Sequence, residues 1–431
     1  MAKSSVPELE TVGGEPEADN LRPEPSVSFW KRTFAALQYP NYRLWFMGQL
    51  VSLVGTWMQI TAQSFLVFEL TRSTAYLGYV GFAAGIPSWI FMLYAGVIAD
   101  RVARRTLLLI TQSTMMLLAV ILAALTFSGL VQPWHIVALA LVLGIANAFD
   151  APARQVFAFE LVERKDLTNA IALNSSMFNL GSVVGPTVAG LTYAAFGAAW
   201  CFALNGVSFV AVIVALVLMR LPAIAHKPRT HSALAQLKEG VRYTFAHPLL
   251  PTLIALPGVT ALFGSAYGTL LPAWAVDVLR GDATTNGLLQ SARGAGSLFG
   301  ALVIASLGHL GMRGRWLTIG SIVYPILLLG FAAVGSLPLS LVALVGIGGS
   351  GMVLFNMANT LVQSHVSDEL RGRVMSIYTL TFFGGMPLGA LWAGALAQYI
   401  GAPLTIVVSA VISLLCAAFF WVRVPQLRRL T

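Results

Sequence analysis

Gly96-Val97-Ile98-Ala99-Asp100-Arg101-Val102-Ala103-Arg104-Arg105 decides how the rest of this sequence is read. An apolar run of about 20 residues, enough to span a bilayer, precedes it, and a second long apolar run follows. Arginines are retained at the cytoplasmic end of a membrane segment. Gly96 permits close approach of another helix, and Asp100 can face a helix N-terminus or an arginine. The stretch reads as an inner turn between two spans. Gly96, Asp100, Arg101, Arg104 and Arg105, together with Arg154 further along the chain, are expected to form a cytoplasmic gate.

The composition supports that reading. Of 431 residues, 57% are hydrophobic and 10% charged, with a mean hydropathy of +0.78. Soluble domains carry about 25% charged residues. A soluble enzyme is excluded, because this much apolar sequence cannot hide in one core. The net charge of +9 does not point to nucleic acid, since the bases cluster in short gaps between apolar runs. Cys201 and Cys416 fall within apolar runs as packing residues. No phosphate-binding G-x-x-x-x-G-K-[ST] loop, metal cluster or nucleophile–base pair stands out, so no cofactor is expected.

Twelve apolar runs are long enough to span, approximately 44–67, 75–98, 106–128, 134–156, 170–195, 200–220, 250–275, 286–308, 316–336, 339–363, 374–398 and 402–422. With both termini cytoplasmic, 23 of the 26 Lys and Arg fall in tails, inner loops or inner helix ends. Arg72, Arg280 and Arg293 are the exceptions. The predicted organisation is a disordered or interfacial tail over 1–40, six spans over 41–220, a linker over 221–249, six spans over 250–424 and a tail over 425–431. The first tail carries Glu8, Glu10, Glu15, Glu17, Asp19 and Glu24 among prolines, and lacks the basic start and apolar core of a signal peptide. In the linker, Leu234, Leu237, Val241 and Phe245 recur at helical spacing, predicting a short amphipathic helix on the inner surface.

The two halves repeat. A shift of 204 residues lays Gly181, Gly185, Ala189 and Gly190 on Gly385, Gly389, Ala393 and Gly394, and Gly197 on Gly401. Gly96-x-x-x-Asp100-Arg101-x-x-Arg104-Arg105 resembles the signature loop of the major facilitator superfamily, with Ala103 where that signature has glycine. Gly181-x-x-x-Gly185-Pro186-x-x-Ala189-Gly190 resembles a motif of its exporter branch, with Ala189 in place of glycine. Asn41-Tyr42-Arg43-Leu44-Trp45, Asp150-Ala-Pro-Ala-Arg154-Gln155 and Asn169-Ala-Ile-Ala-Leu-Asn174 resemble the bacterial branch of enterobactin exporters and related drug exporters. The resemblance covers about residues 40–424. It implies an all-α membrane protein, twelve helices in two six-helix repeats. It also implies a monomer in a bacterial inner membrane, with both termini cytoplasmic. The arginine signature that many drug–proton antiporters carry in the fourth span is missing, which leaves the coupling site open.

Few ionisable groups lie inside the predicted spans, so each is a candidate. Asp150 and Arg154, four apart on one helix face, suit an internal ion pair; Arg154 could also reach Asp100, and Asp150 could carry a proton. Glu69 and Arg72 read as a solvated pair where the first span ends, with Glu69 as a second coupling candidate. Arg293 could snorkel outward, pair with Asp277 or meet an anionic substrate. Thr56, Gln59 and Gln63 share a face of the first span and are expected to meet the substrate path or another helix. Gln290, Asn356 and Asn359 are their counterparts in the second half.

The resulting expectation is a secondary exporter of an amphipathic small molecule, a siderophore or a drug, in exchange for protons and surrounded by membrane lipids. A lipid flippase or uniporter is the alternative. A non-transporting scaffold or sensor is a third, which the gate and the proline-bent fifth span argue against.

Overall fold

The computed structural model describes residues 33–220, 233–307 and 311–430, and within these it is helical throughout, with short turns. The expected tail before residue 33, the linker start at 221–232 and residues 308–310 lie outside the described residues. So do the side chains of Gly96, Asp100, Arg101, Leu234 and Leu237.

Six long helices come first: α1 (Pro40–Thr71), α2 (Thr74–Arg101), α3 (Arg104–Phe127), α4 (Pro133–Glu160), α5 (Leu167–Phe196) and α6 (Ala198–Leu218). Then follow α7 (Ala233–Ala246), α8 (Leu250–Leu262), α9 (Ala283–Leu307), α10 (Arg313–Ala332), α11 (Leu337–Ser364) and α12 (Asp368–Arg423). Gly401, with φ 79° and ψ 162°, breaks α12 into arms over 368–400 and 402–423. Gly197, with φ 89° and ψ 170°, makes the same turn between α5 and α6. Both positions were matched by the 204-residue shift. A left-handed φ at each explains why glycine recurs there.

Nine segments among the described residues are long and apolar enough to cross a membrane. The 250–275 run, expected as one continuous helix, is broken instead. After Leu262 the chain winds as a 3₁₀ stretch (Gly264–Leu270), one α turn and a π turn (Trp274–Val278). Pro272 has no N–H to donate to the carbonyl four residues back, and glycines at 264 and 268 tolerate the tighter winding. In the predicted linker, α7 is a helix of 14 residues. Its Val241 and Phe245 are exposed, as suits an apolar face laid on a lipid surface.

The helices before and after the linker meet along two seams. On the first, α2 lies against the first arm of α12: Thr74 Oγ1 donates to the Gly394 carbonyl at 3.0 Å, and Ser73 Oγ to Gln398 Oε1 at 2.7 Å. A Cβ on Gly394 would come within 2.7 Å of the Gly78 backbone. On the second, α5 lies against α9: Ser291 Oγ donates to the Val183 carbonyl at 2.6 Å and lies 2.7 Å from Thr187 Oγ1. A Cβ on Gly190 would come within 2.9 Å of Thr284 Cα. These contacts run down to Trp89 against Gly384 and Ser182 against Gly294. All of them lie in the parts of the four helices remote from the chain termini, here called the closed end. Near the other end, Gly372 has nothing within 4 Å of its Cβ position.

Candidate functional site

Near the helix ends on the side of the chain termini, charged side chains are held by pairing within and between helices. Asp150 on α4 is 1% exposed. Its Oδ1 accepts from Thr111 Oγ1 and Gln112 Nε2 of α3, both at 2.8 Å, and its Oδ2 lies 3.4 Å from Arg154 Nε. The expected i,i+4 pair is therefore present. Thr111 and Gln112 were missed; a threonine and an amide side by side in an otherwise apolar span were the signal. Arg104 pairs with Glu160, another partner not foreseen, and Arg105 donates to the Val217 carbonyl at 2.9 Å. These bonds tie α3 to α4 and α6.

Around this cluster the helix ends are laced by further bonds. Tyr39 donates to Asp166 at 2.7 Å, Asn41 to the Arg220 carbonyl at 2.9 Å, and the Ala36 amide to Asn169 Oδ1 at 2.8 Å. Burial and the neighbouring Asp166 raise the Tyr39 phenol above its ordinary value. The Asn41 and Asn169 motifs thus anchor the start of α1 and the residues just before it to α5 and to the chain just after α6.

The export-motif glycines place α5 between two helices. Gly181 and Gly185 face Trp57 of α1, while Gly190 faces α9. Pro186 leaves the Ser182 carbonyl without its helical donor. That carbonyl seats on Gly294, where a Cβ would approach it to 2.5 Å. The equivalent Gly389 and Gly394 face α8 and α2.

The polar residues predicted along the path divide. Gln59 is buried and accepts from Asn205 Nδ2 of α6 at 2.7 Å, so it joins two helices of the same group. Thr56 bonds back to the Ser52 carbonyl at 2.9 Å. Gln63 and Gln290 are buried. Asn359 accepts from Gln363 at 2.6 Å. Asn356 lines a cavity of about 150 Å³ with Val303, Ile304, Trp316, Val353 and Met357, between α9, α10 and α11.

Two expected pairs do not form. Glu69 accepts from the Tyr193 hydroxyl of α5 and makes no ion pair with Arg72. The helix ends at Thr71, and Arg72 turns left-handed at φ 50°, so the i,i+3 geometry is lost. Arg293 does not pair with Asp277, which is exposed in the π turn. Its guanidinium instead reaches the broken part of the α8 segment, lying against Gly268 and beside Tyr267. Among the described residues no group of His, Cys, Asp or Glu could hold a metal ion.

Small-residue seams at one end and a charge-paired cluster at the other suit a membrane carrier. Over residues 31–430 the sequence matches the family MFS_3, described as transmembrane secretion effectors. The chain belongs to this family. A staphyloferrin A transporter of Staphylococcus aureus is 26% identical over 83% of this chain and 90% of its own. The multidrug efflux pump Tap of Mycolicibacterium fortuitum is 28% identical over 88% and 95%. The enterobactin exporter EntS of Shigella boydii is 29% identical over 86% and 88%. The fold resembles that of the nucleoside transporter NupG, with a TM-score of 0.70 at 13% identity over 89% of this chain and 98% of that one. This secretion effector is therefore a multi-pass membrane transporter of the major facilitator type, and not an enzyme.

Proposed function

We propose that this protein exports an amphipathic small molecule across a bacterial inner membrane by alternating access. The observation that carries this reading is the pair of seams. Each joins helices from opposite sides of the linker through small residues and a few hydroxyl bonds, at positions related by the internal repeat. Such contacts can part without leaving large apolar surfaces unpaired. The structure fits an inward-facing state, with the closed end outward and both termini cytoplasmic.

Twelve crossings belong to the same reading. The 56-residue α12 counts twice because of its break, and α2 and α5, of 28 and 30 residues, join the nine apolar segments. Two six-helix halves, 41–220 and 250–424, then rock as units joined by the linker, in a monomer within membrane lipids.

Protons are the proposed counter-ion, with Asp150 the first candidate carrier and Glu69 the second. The gate residues Gly96, Asp100 and Arg101 complete this scheme from sequence, and Asp100→Asn is expected to stop turnover without loss of expression. The test uses inside-out vesicles acidified by respiration, an internal pH dye and a panel of siderophores, macrolides and lipophilic cations. Substrate-dependent proton release by the wild type, lost in Asp150→Asn, supports antiport through Asp150. Release retained in that variant moves coupling to Glu69.

One observation favours uniport or lipid flipping as a second reading. Asp150 is already neutralised by Arg154, and the chain beyond residue 240 carries carboxylates only at Asp277, Asp282, Asp368 and Glu369, all near helix ends. Substrate movement without proton release would decide for it.

A further inference from the structure

Arg293 is a cation with no carboxylate partner among the described residues. It lies ten residues into α9, or about 15 Å below the closed end at 1.5 Å per residue. That is near the middle of a hydrocarbon layer of about 30 Å. It is partly exposed, and among the described residues no carboxylate lies within ion-pair distance. The sequence explains why: between Asp282 and Asp368 there is no acidic residue. An arginine at that depth is costly unless something compensates it.

The surroundings hold the guanidinium in place without neutralising it. A Cβ on Gly268 would come within 2.7 Å of Arg293 Nη1, so the absent side chain at 268 makes room for it. Tyr267 and Tyr324 of α10 lie close to it, and both tyrosines are buried. Phenol groups orient a guanidinium and contribute no negative charge at neutral pH. The segment that carries Tyr267 and Gly268 is the 3₁₀ stretch, a winding that commonly marks functional positions.

A second observation lies on the same helix. Asn286, Gln290 and Arg293 fall at i, i+4 and i+7, one face of α9. Asn286 is fully buried, and neither of its amide atoms has a partner. Buried amides are nearly always satisfied. Its neighbours Thr284 and Gly287 belong to the α5–α9 seam, so parting of that seam would uncover Asn286. The three side chains form a ladder of donors running from mid-helix to the closed end.

We propose that Arg293 is the counter-charge for an anionic group on the transported molecule, with Gln290 and Asn286 receiving that group as the closed end opens. The protein is then selective for amphipathic anions, carboxylates, sulfonates or phenolates, over neutral and cationic amphipaths. This rests on the export reading above, and the experiment separates the two.

Binding to the full-length purified protein is measured by equilibrium dialysis with two fluorescent probes of similar shape. One is 1-anilinonaphthalene-8-sulfonate, and the other is the uncharged N-phenyl-1-naphthylamine. Arg293→Gln should weaken sulfonate binding by about tenfold or more, the scale of a charged hydrogen bond, and leave the neutral probe unchanged. Arg293→Lys should retain part of the preference, and Gly268→Ala, which displaces the guanidinium without removing its charge, should lose part of it. Without ligand, Arg293→Gln should unfold at or above the wild-type temperature, because an uncompensated cation is gone. Equal loss for both probes, or no loss for either, overturns the proposal. If Arg293→Gln does not fold, Arg293→Lys and Gly268→Ala decide by the same ratio of the two probes. Charge-selective binding in a protein that moves no substrate in vesicles keeps the anion site and removes the export reading. Export that is equal for both probes in wild type and Arg293→Gln does the reverse.

Discussion

Substituting Gly394 by alanine should push this transporter towards a state with its closed end open. The new Cβ would meet the Thr74 carbonyl oxygen at 2.6 Å and the Gly78 nitrogen and Cα at 2.7 Å. All three are backbone atoms, so no side chain can swing aside. Restoring an ordinary contact of 3.4 Å requires the α2–α12 seam to part by about 0.8 Å, and overpacking of this kind costs about 1–3 kcal/mol. The penalty exists only while the seam is shut. At 1.4 kcal/mol per tenfold change it shifts the equilibrium by a factor of about 5 to 150. That is comparable with the few kcal/mol that separate two functional states. Gly190→Ala acts on the α5–α9 seam, where the nearest backbone atoms lie at 2.9 Å. If the halves move as rigid bodies, both seams open together and the two costs add. The assay is a pulsed electron spin resonance distance between labels on exposed Ser128 and Gly335, in a background with Cys201 and Cys416 replaced. Gly330→Ala, with nothing within 4 Å of its Cβ, is the control. A longer distance in Gly394→Ala, longer still in the double variant, is expected. Folded protein with an unchanged distance would refute the two-state reading of the seams.

Asp150→Leu should lower stability by about 3–5 kcal/mol in thermal unfolding in detergent, because it leaves Arg154 without its buried partner. Thr111 and Gln112 lose their acceptor as well. Gln59→Leu alone should cost about 1–3 kcal/mol by stranding the Asn205 amide, whereas Gln59→Leu with Asn205→Leu should recover most of it; equal losses in single and double variants would rule out that bond. His247 precedes α8 and its Nδ1 accepts from the amides of Leu249 and Leu250. Burial, then nearby His365, lowers its pKa below the ordinary 6.5. The folded state thus disfavours the proton: its contribution is fully present above 6.5 and is lost as pH falls through the lowered value. Unfolding midpoints measured on either side of that window should fall with acid in the wild type and fall less in His247→Asn, which keeps an acceptor. Parallel curves would exclude the histidine.

How much of this was legible in the sequence depended on what each contact requires. Gly190 and Gly394 were readable because backbone-to-backbone approach demands the absence of a side chain. Gly197 and Gly401 were readable because only glycine takes their φ at no cost. Asp150 with Arg154 was readable because four residues along one helix fix the distance. The same rule failed for Glu69 and Arg72, since the helix ends between them. Partners drawn from other helices, Thr111 and Gln112 for Asp150, Glu160 for Arg104 and Tyr193 for Glu69, were not readable, because a window on one helix does not contain its neighbours. The break after α8 escaped for a different reason. Hydropathy measures what a side chain prefers and is blind to how the backbone hydrogen bonds are routed, so 250–275 looked like any other span. Yet that break is what brings Tyr267 and Gly268 to Arg293. A continuous α-helix would carry the same residues with a different rotation at 267 and 268, because each 3₁₀ step turns the chain by about 120° instead of 100°. The orientation of Arg293 is therefore set by backbone winding, and a glycine is required beside it only because the segment winds this way.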